Sequence, residues 1–272
     1  MNEKNFLLAL TQSEVFGPSR LQYLRGLFNT WEEIWKAPAS KLRKTKLPPR
    51  VLDSFLKYRR KFNFKKVLYI LKRNQINFVT IDESNYPPLL KSISLPPPLL
   101  YYQGDIEIFK RRSVAIVGSR KSTPYGQAII QQIIPELISR DFLIISGLAL
   151  GSDTLAHQTT LYSNGLTAAV LPSSLDTIYP ATNKVLTEKI KERGCLISEY
   201  KPGTAITKGN FVRRNRLIAG LAEAIVVIEP QEKSGSLVTV SWAQKYGHRV
   251  IFFTKNNSLL NSFQKQINLT EG

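Results

Sequence analysis

The chain is short of the residue types that build covalent or metal-based function. Of its 272 residues only one is cysteine, Cys195, and only two are histidine, His157 and His248. A single thiol excludes an internal disulfide framework and a cysteine-based zinc site. Two histidines are too few for a histidine-rich metal centre. Cys195 precedes Leu196-Ile197 and reads as a buried strand residue. Long apolar runs are missing too. Met1 to Leu10 carries only a very short one, so the expectation is no signal peptide, no bilayer-spanning segment and a cytoplasmic location. Common nucleotide and hydrolase motifs are also absent. The residue two after Gly118 is Arg120, so GxGxxG fails; Gly203 and Lys208-Gly209 stand in the wrong order for a P-loop. Ser119, Ser146 and Ser236 lack a GxSxG elbow, which leaves a hydrolase triad unsupported.

Acidic residues are scarce in relation to basic ones. Thirty-eight Lys and Arg stand against 20 Asp and Glu, a formal net charge of +18 and a pI near 10.0. Such an excess points to nucleic acid or an anionic membrane as partner, against the plainer reading of charge that only deters aggregation. Hydrophobic content of 43% marks a globular chain, long enough for one large domain and a smaller one.

Residues 1–74 read as a small helical domain. Leucines and aromatics recur at helical spacing, with Phe16-Gly17-Pro18-Ser19 as a break and Ser19 as the expected cap of the next helix. Short helices around such a turn resemble SAM-like or helix-hairpin-helix modules. Between Lys41 and Arg73 there are thirteen Lys or Arg and one acid, Asp53. Arg59, Arg60 and Lys61 alternate with Tyr58, Phe62 and Phe64, which suits either a nucleic-acid backbone contact or a solvated helix face over an aromatic core. Residues 75–112 form a proline-rich bridge, with strands at Phe78 to Ile81 and Leu99 to Tyr102 and extended backbone at Tyr86 to Leu90.

From Ser113 the pattern alternates strand and helix to Phe253, which predicts an α/β fold with a doubly wound, mainly parallel sheet over 75–272. Its organising unit is Val114 to Val117, a continuous apolar strand stopped by Gly118 and followed by Ser119, Arg120 and the helix start Thr123-Pro124. Ligands bind outside the carboxyl ends of such strands, and a helix start beside Arg suits phosphate. The bland alternative is a strand-to-helix connection with an exposed arginine. Ser146-Gly147 and Ser234-Gly235-Ser236 are further small loops. The stretch Lys208 to Arg216 combines four cations with Phe211, which fits a phosphate chain and a stacked unpaired base. Its arginines could instead pair with Asp153, Glu199 or Glu229. Asp153 and His157, four residues apart, suit a structural hydrogen bond better than an acid/base pair.

Taken together, several stretches resemble the DprA/Smf family. They are Val114 to Arg120 with Thr123 and Tyr125-Gly126; Ser146 to Asp153 with Ala156-His157; and Ile178-Tyr179-Pro180 with Asn183. Ser198-Glu199-Tyr200, Pro202-Gly203, Phe211 with Arg214 to Leu221, and Ser234 to Thr239 continue the match in order. The resemblance implies an extended Rossmann-like fold that binds single-stranded DNA in natural transformation, dimerises and helps load the RecA recombinase. It implies no catalytic activity, metal or cofactor. Carried across by motif, Gly118, Ser119 and Arg120 would hold phosphate, Lys208 would add charge and Phe211 a stacking face. Arg214 and Arg216 would line or support the pocket, with Gly235 and Ser236 on a facing loop. Two departures stand out: Ser152 replaces the usual isoleucine in Gly151-Ser152-Asp153, and Thr254 to Ser258 with a polar tail replaces a Pro-Gly turn, so that a winged-helix domain is not expected. The competing readings are a nucleotide-binding or nucleoside-monophosphate-cleaving Rossmann-like enzyme and a duplex-binding scaffold. The enzyme's Pro-Gly-Gly-x-Gly-Thr loop is replaced here by Glu229 to Ser236, without paired glycines.

Overall fold

The computed structural model describes residues 2–232 and 234–255, so the tail expected after Lys255 lies outside the described residues. The chain divides into two compact units, residues 1–86 with 94–101, and 87–93 with 102–272.

The first unit contains six helices: α1 Glu3–Gln12, α2 Pro18–Arg25, α3 Trp31–Lys36, α4 Ala39–Arg43, α5 Pro49–Lys61 and α6 Phe64–Arg73. A short strand, β1 Asn77–Thr80, follows. Ser19 does not cap α2. Pro18 already has the φ a first helical position requires, so the helix starts there with Gly17 as its N-cap. The core gathers Phe6, Leu21, Trp35, Phe55 and neighbours. Tyr58, Phe62 and Phe64 pack against this core, with the Trp35 ring 5.2 Å from Phe62 and 5.4 Å from Phe64. Arg59 donates to the carbonyls of Trp35 and Ala37 at the end of α3. The aromatics that alternate with Arg59, Arg60 and Lys61 are therefore core-side residues, and Arg59 serves backbone carbonyls.

In the second unit Pro88–Lys91 is one helical turn, α7, and not extended backbone as expected for Tyr86 to Leu90; Pro88 at its start favours the turn. Strand β2, Leu99–Gly104, straddles the boundary between the units. Strands β3 Ser113–Gly118, β4 Leu143–Ser146, β5 Thr167–Val170, β6 Gly194–Ser198, β7 Ala224–Ile228 and β8 Arg249–Phe253 alternate with helices. These are α8 Pro124–Ser139, α9 Ser152–Tyr162, α10 Lys184–Arg193, α11 Lys208–Gly220 and α12 Gly235–Lys245. The order β6-β5-β4-β3-β7-β8 is that of a doubly wound sheet, and each of these neighbouring pairs is parallel. β3 and β4 are buried along almost their whole length because helices cover both faces. Cys195 is buried in β6.

Strands β4, β5 and β6 follow β3 outward in one direction; β7 returns to the other side of β3. The winding direction thus reverses between β3 and β7, where a crevice opens at the strands' carboxyl ends. Two glycines permit the local approach. A Cβ on Gly118 would lie 2.3 Å from the Ile228 carbonyl of the paired strand. Gly151, with φ +78°, would place one 2.3 Å from the Ser119 carbonyl. Among the described residues no helix is long and apolar enough to cross a membrane.

Candidate functional site

The crevice at the reversal point is a cleft of about 260 Å³. Of the residues the sequence singles out, Gly118, Ser119, Arg120, Phe211, Arg214, Gly235 and Ser236 line it, together with Asp153, Asn215 and Gln231 among others. Lys208 and Arg216 are not part of its wall.

The first wall is the turn after β3. The Ser119 backbone N–H donates to the Ile228 carbonyl at 3.1 Å, which ties the turn to β7. Its hydroxyl accepts from the Lys121 N–H at 3.1 Å and closes the turn locally. Its carbonyl receives the Ser152 N–H at 3.0 Å, fastening the start of α9 to the turn. With its backbone so held, Arg120 projects an exposed side chain. The guanidinium lies 5.8 Å from the centre of the Phe211 ring.

The second wall is α11. It begins at Lys208, three residues before the Phe211 start expected from the sequence, so Lys208 and Phe211 share a helix face one turn apart. Lys208 is exposed and Phe211 half-buried. Tyr179 meets the Phe211 ring edge-on, centroids 5.5 Å apart and planes at 80°, which fixes the ring's orientation. Tyr179 belongs to the recognised Ile178-Tyr179-Pro180 stretch, but nothing in its spacing from Phe211 announces the contact.

One turn further on, Arg214 is 5% exposed. Its guanidinium donates to the carbonyls of Gly147 and Val170, at the ends of β4 and β5. Gly147 must be glycine for this, since a Cβ there would lie 2.5 Å from the guanidinium. Burial lowers the Arg214 pKa to about 10, with the Asp153 carboxylate opposing the shift, so the side chain stays charged at neutral pH. Burial pushes Asp153 up, and Arg214 draws it back down. Arg214 is thus a buried cation holding the ends of β4 and β5 together beneath the cleft. Asn215 extends the brace: its Oδ1 accepts from Arg214 Nε at 3.1 Å and its Nδ2 donates to the Gly235 carbonyl at 2.9 Å. Sequence reasoning gave Asn215 no role, although its place between two arginines was the available signal.

Arg216 pairs with Glu199, both side chains largely buried. Burial raises the Glu199 pKa and Arg216 opposes that rise. This is one of the ion pairs the sequence offered as the plain alternative. The third wall is the start of α12, where Ser234 caps by backbone and the Ser234 and Ser236 hydroxyls lie 2.7 Å apart.

Asp153 and His157 do not bond to each other. Asp153 accepts from the Ala149 N–H at 3.2 Å. His157 Nδ1 lies 2.7 Å from the Thr167 hydroxyl, which itself donates to the Ile144 carbonyl, so Nδ1 carries the proton. Burial lowers the His157 pKa to about 3. The Glu229 carboxylate accepts from the backbone N–H and the hydroxyl of Thr123, and so is engaged at the start of α8.

Known proteins share both the sequence pattern and this architecture. Residues 77–268 match the model of the family DNA recombination-mediator protein A. A relative in Synechocystis, Protein Smf, is 36% identical over 261 residues, covering 94% of this chain and 65% of that protein. DNA processing protein DprA of Bacillus subtilis is 36% identical over 186 residues, covering 68% of this chain and 63% of that one. The chain therefore spans a little under two thirds of these relatives' length. Among solved structures, DNA processing protein A from Streptococcus pneumoniae superimposes with a TM-score of 0.77 at 28% identity, over 94% of this chain and 88% of that one. DNA processing protein A from Helicobacter pylori, described for its single-stranded DNA binding mode, matches with a TM-score of 0.63 at 30% identity, over 72% and 95%.

Proposed function

The chain belongs to the DNA recombination-mediator protein A family, and from that premise we propose that it binds single-stranded DNA in the cleft between β3 and β7. The observation that carries the reading is the Arg120 guanidinium beside the Phe211 ring at the mouth of that cleft. One cation and one aromatic face at this spacing match one phosphate and one splayed base of a flexible strand. Arg120 holds phosphate from the turn that Gly118 and Ser119 shape, helped by the start of α12 at Gly235 and Ser236. Lys208 adds an exposed charge along the strand, and Phe211 stacks on a base. Arg214, being buried, acts as a positioning residue, and Arg216 with Glu199 supports α11. Recognition is independent of base sequence, since the contacts assigned are to phosphates and ring faces.

Nothing in this reading calls for bond breaking or a cofactor; the protein works by binding. The rival enzyme would need a free carboxylate at the loop after β7, and Glu229 is occupied by Thr123. In its wider setting the protein protects incoming DNA during natural transformation, acts in the cytoplasm as a homodimer and passes the strand to a RecA-type recombinase. Its DNA-binding module is residues 75–272, with residues 1–74 as a helical module ahead of it. Family membership supports these steps.

Competition tests the binding mode. A labelled single strand bound to the protein is challenged with unlabelled single strand or with duplex of the same sequence. The single strand should compete far better. Equal competition by duplex would favour a duplex-binding scaffold, and release of free base from nucleoside monophosphates would favour the enzyme.

A further inference from the structure

The cleft leaves the charge of the first unit unused. Helix α6 contains no acid and four cations, Lys65, Lys66, Lys72 and Arg73. At about 100° per residue, these four and Tyr69 fall within an arc of about 120° on one face. All five are exposed, and Tyr69 keeps 63% of its surface open to water. The opposite face carries Phe64 and Leu71 into packing contacts. None of the four cations lies within 4.0 Å of a carboxylate among the described residues, whereas Lys36 and Arg43 elsewhere in the unit are both paired.

Stability alone does not explain this stripe. Lys72 and Arg73 in the last turn suit the helix dipole, but Lys65 and Lys66 sit in the first turn, where cations are unfavourable. Nor does the core need Tyr69, since Tyr23, Tyr58, Phe62 and Phe64 are the aromatics packed on it. We propose that the outer face of α6 is a second contact site for single-stranded nucleic acid, with the four cations on successive phosphates and the Tyr69 ring stacked on an unpaired base. This site stands on its own observations and does not rest on the cleft reading.

The test uses the full chain and a labelled 30-mer of thymidine, with affinity measured across a salt series. One variant replaces Lys65, Lys66, Lys72 and Arg73 by Ala, which helices accept readily; circular dichroism confirms that it is folded. Its affinity should fall at least about tenfold, and its salt slope should drop by about 3, at about 0.7 for each phosphate of a single strand that is no longer neutralised. Tyr69→Ala should weaken binding about tenfold with the slope unchanged. Arg120→Ala, measured alongside, reports on the cleft alone; a silent Arg120→Ala beside a weakened stripe variant would sink the cleft and keep this site. An unchanged slope in the fourfold variant, or wild-type affinity in Tyr69→Ala, overturns the proposal. So does a fourfold variant that keeps its oligonucleotide affinity but loses binding to vesicles rich in anionic phospholipid, which would assign the face to a membrane surface.

Discussion

Arg120 and Phe211 come from elements 91 residues apart in sequence, yet the guanidinium lies 5.8 Å from the centre of the ring. The turn after β3 and the first turn of α11 therefore face one another across the cleft. If the ring stacks on a base, its area matters more than its chemistry. Phe211→Ala should weaken single-strand binding about tenfold, while Phe211→Tyr should leave it near wild type, by fluorescence anisotropy with a thymidine oligonucleotide.

Arg214 predicts a loss of folding. It is a buried cation that satisfies two carbonyls and faces Asp153. Removing it leaves two buried carbonyls unpaired and the buried Asp153 uncompensated, which costs about 3–5 kcal/mol. Arg214→Ala should lower the urea midpoint of unfolding accordingly, and Arg214→Lys should not restore it, because an ammonium lacks the planar fork that reaches both Gly147 and Val170.

His157 predicts a pH dependence. Its folded pKa, about 3, lies below the unfolded value, so only the unfolded chain takes up this proton as pH falls below about 6.5. The stability this provides is complete above that pH and is lost on the way down towards 3. Between pH 7 and pH 5 the loss is about 2 kcal/mol, and His157→Gln should lack it when urea unfolding is compared at the two pH values. Asp153 and Glu199, both raised by burial, act in the opposite sense and are common to both proteins, so the difference isolates the imidazole.

Gly118 predicts a combined defect. A methyl group there meets the Ile228 carbonyl and the Ser152 hydroxyl. Gly118→Ala should push the turn off β7, cutting stability by about 1–3 kcal/mol and DNA affinity with it. Thermal unfolding and anisotropy on the same sample measure both.

Much of the sheet was legible because its strands are short apolar runs, such as Val114 to Val117, stopped by glycine or small residues. The turn Gly118-Ser119-Arg120 was legible for the same reason, since a buried parallel strand must present its end to a crevice. The fate of the arginines was not. Arg213, Arg214 and Arg216 look alike in sequence, but Arg213 is exposed, Arg214 is buried on carbonyls and Arg216 meets Glu199 on a different element. Which cation is free depends on contacts made across the fold, and residue type carries no record of them. The same holds for Tyr58 and Tyr69, one packed on the core and the other open to water.

The most direct test of the cleft is the salt dependence of oligonucleotide affinity for wild type, Arg120→Ala and Lys208→Ala. Each variant should bind a thymidine strand about tenfold more weakly and show a slope of log affinity against log salt that is shallower by about 0.7. Wild-type affinity and slope in both variants would contradict a phosphate seat at this cleft.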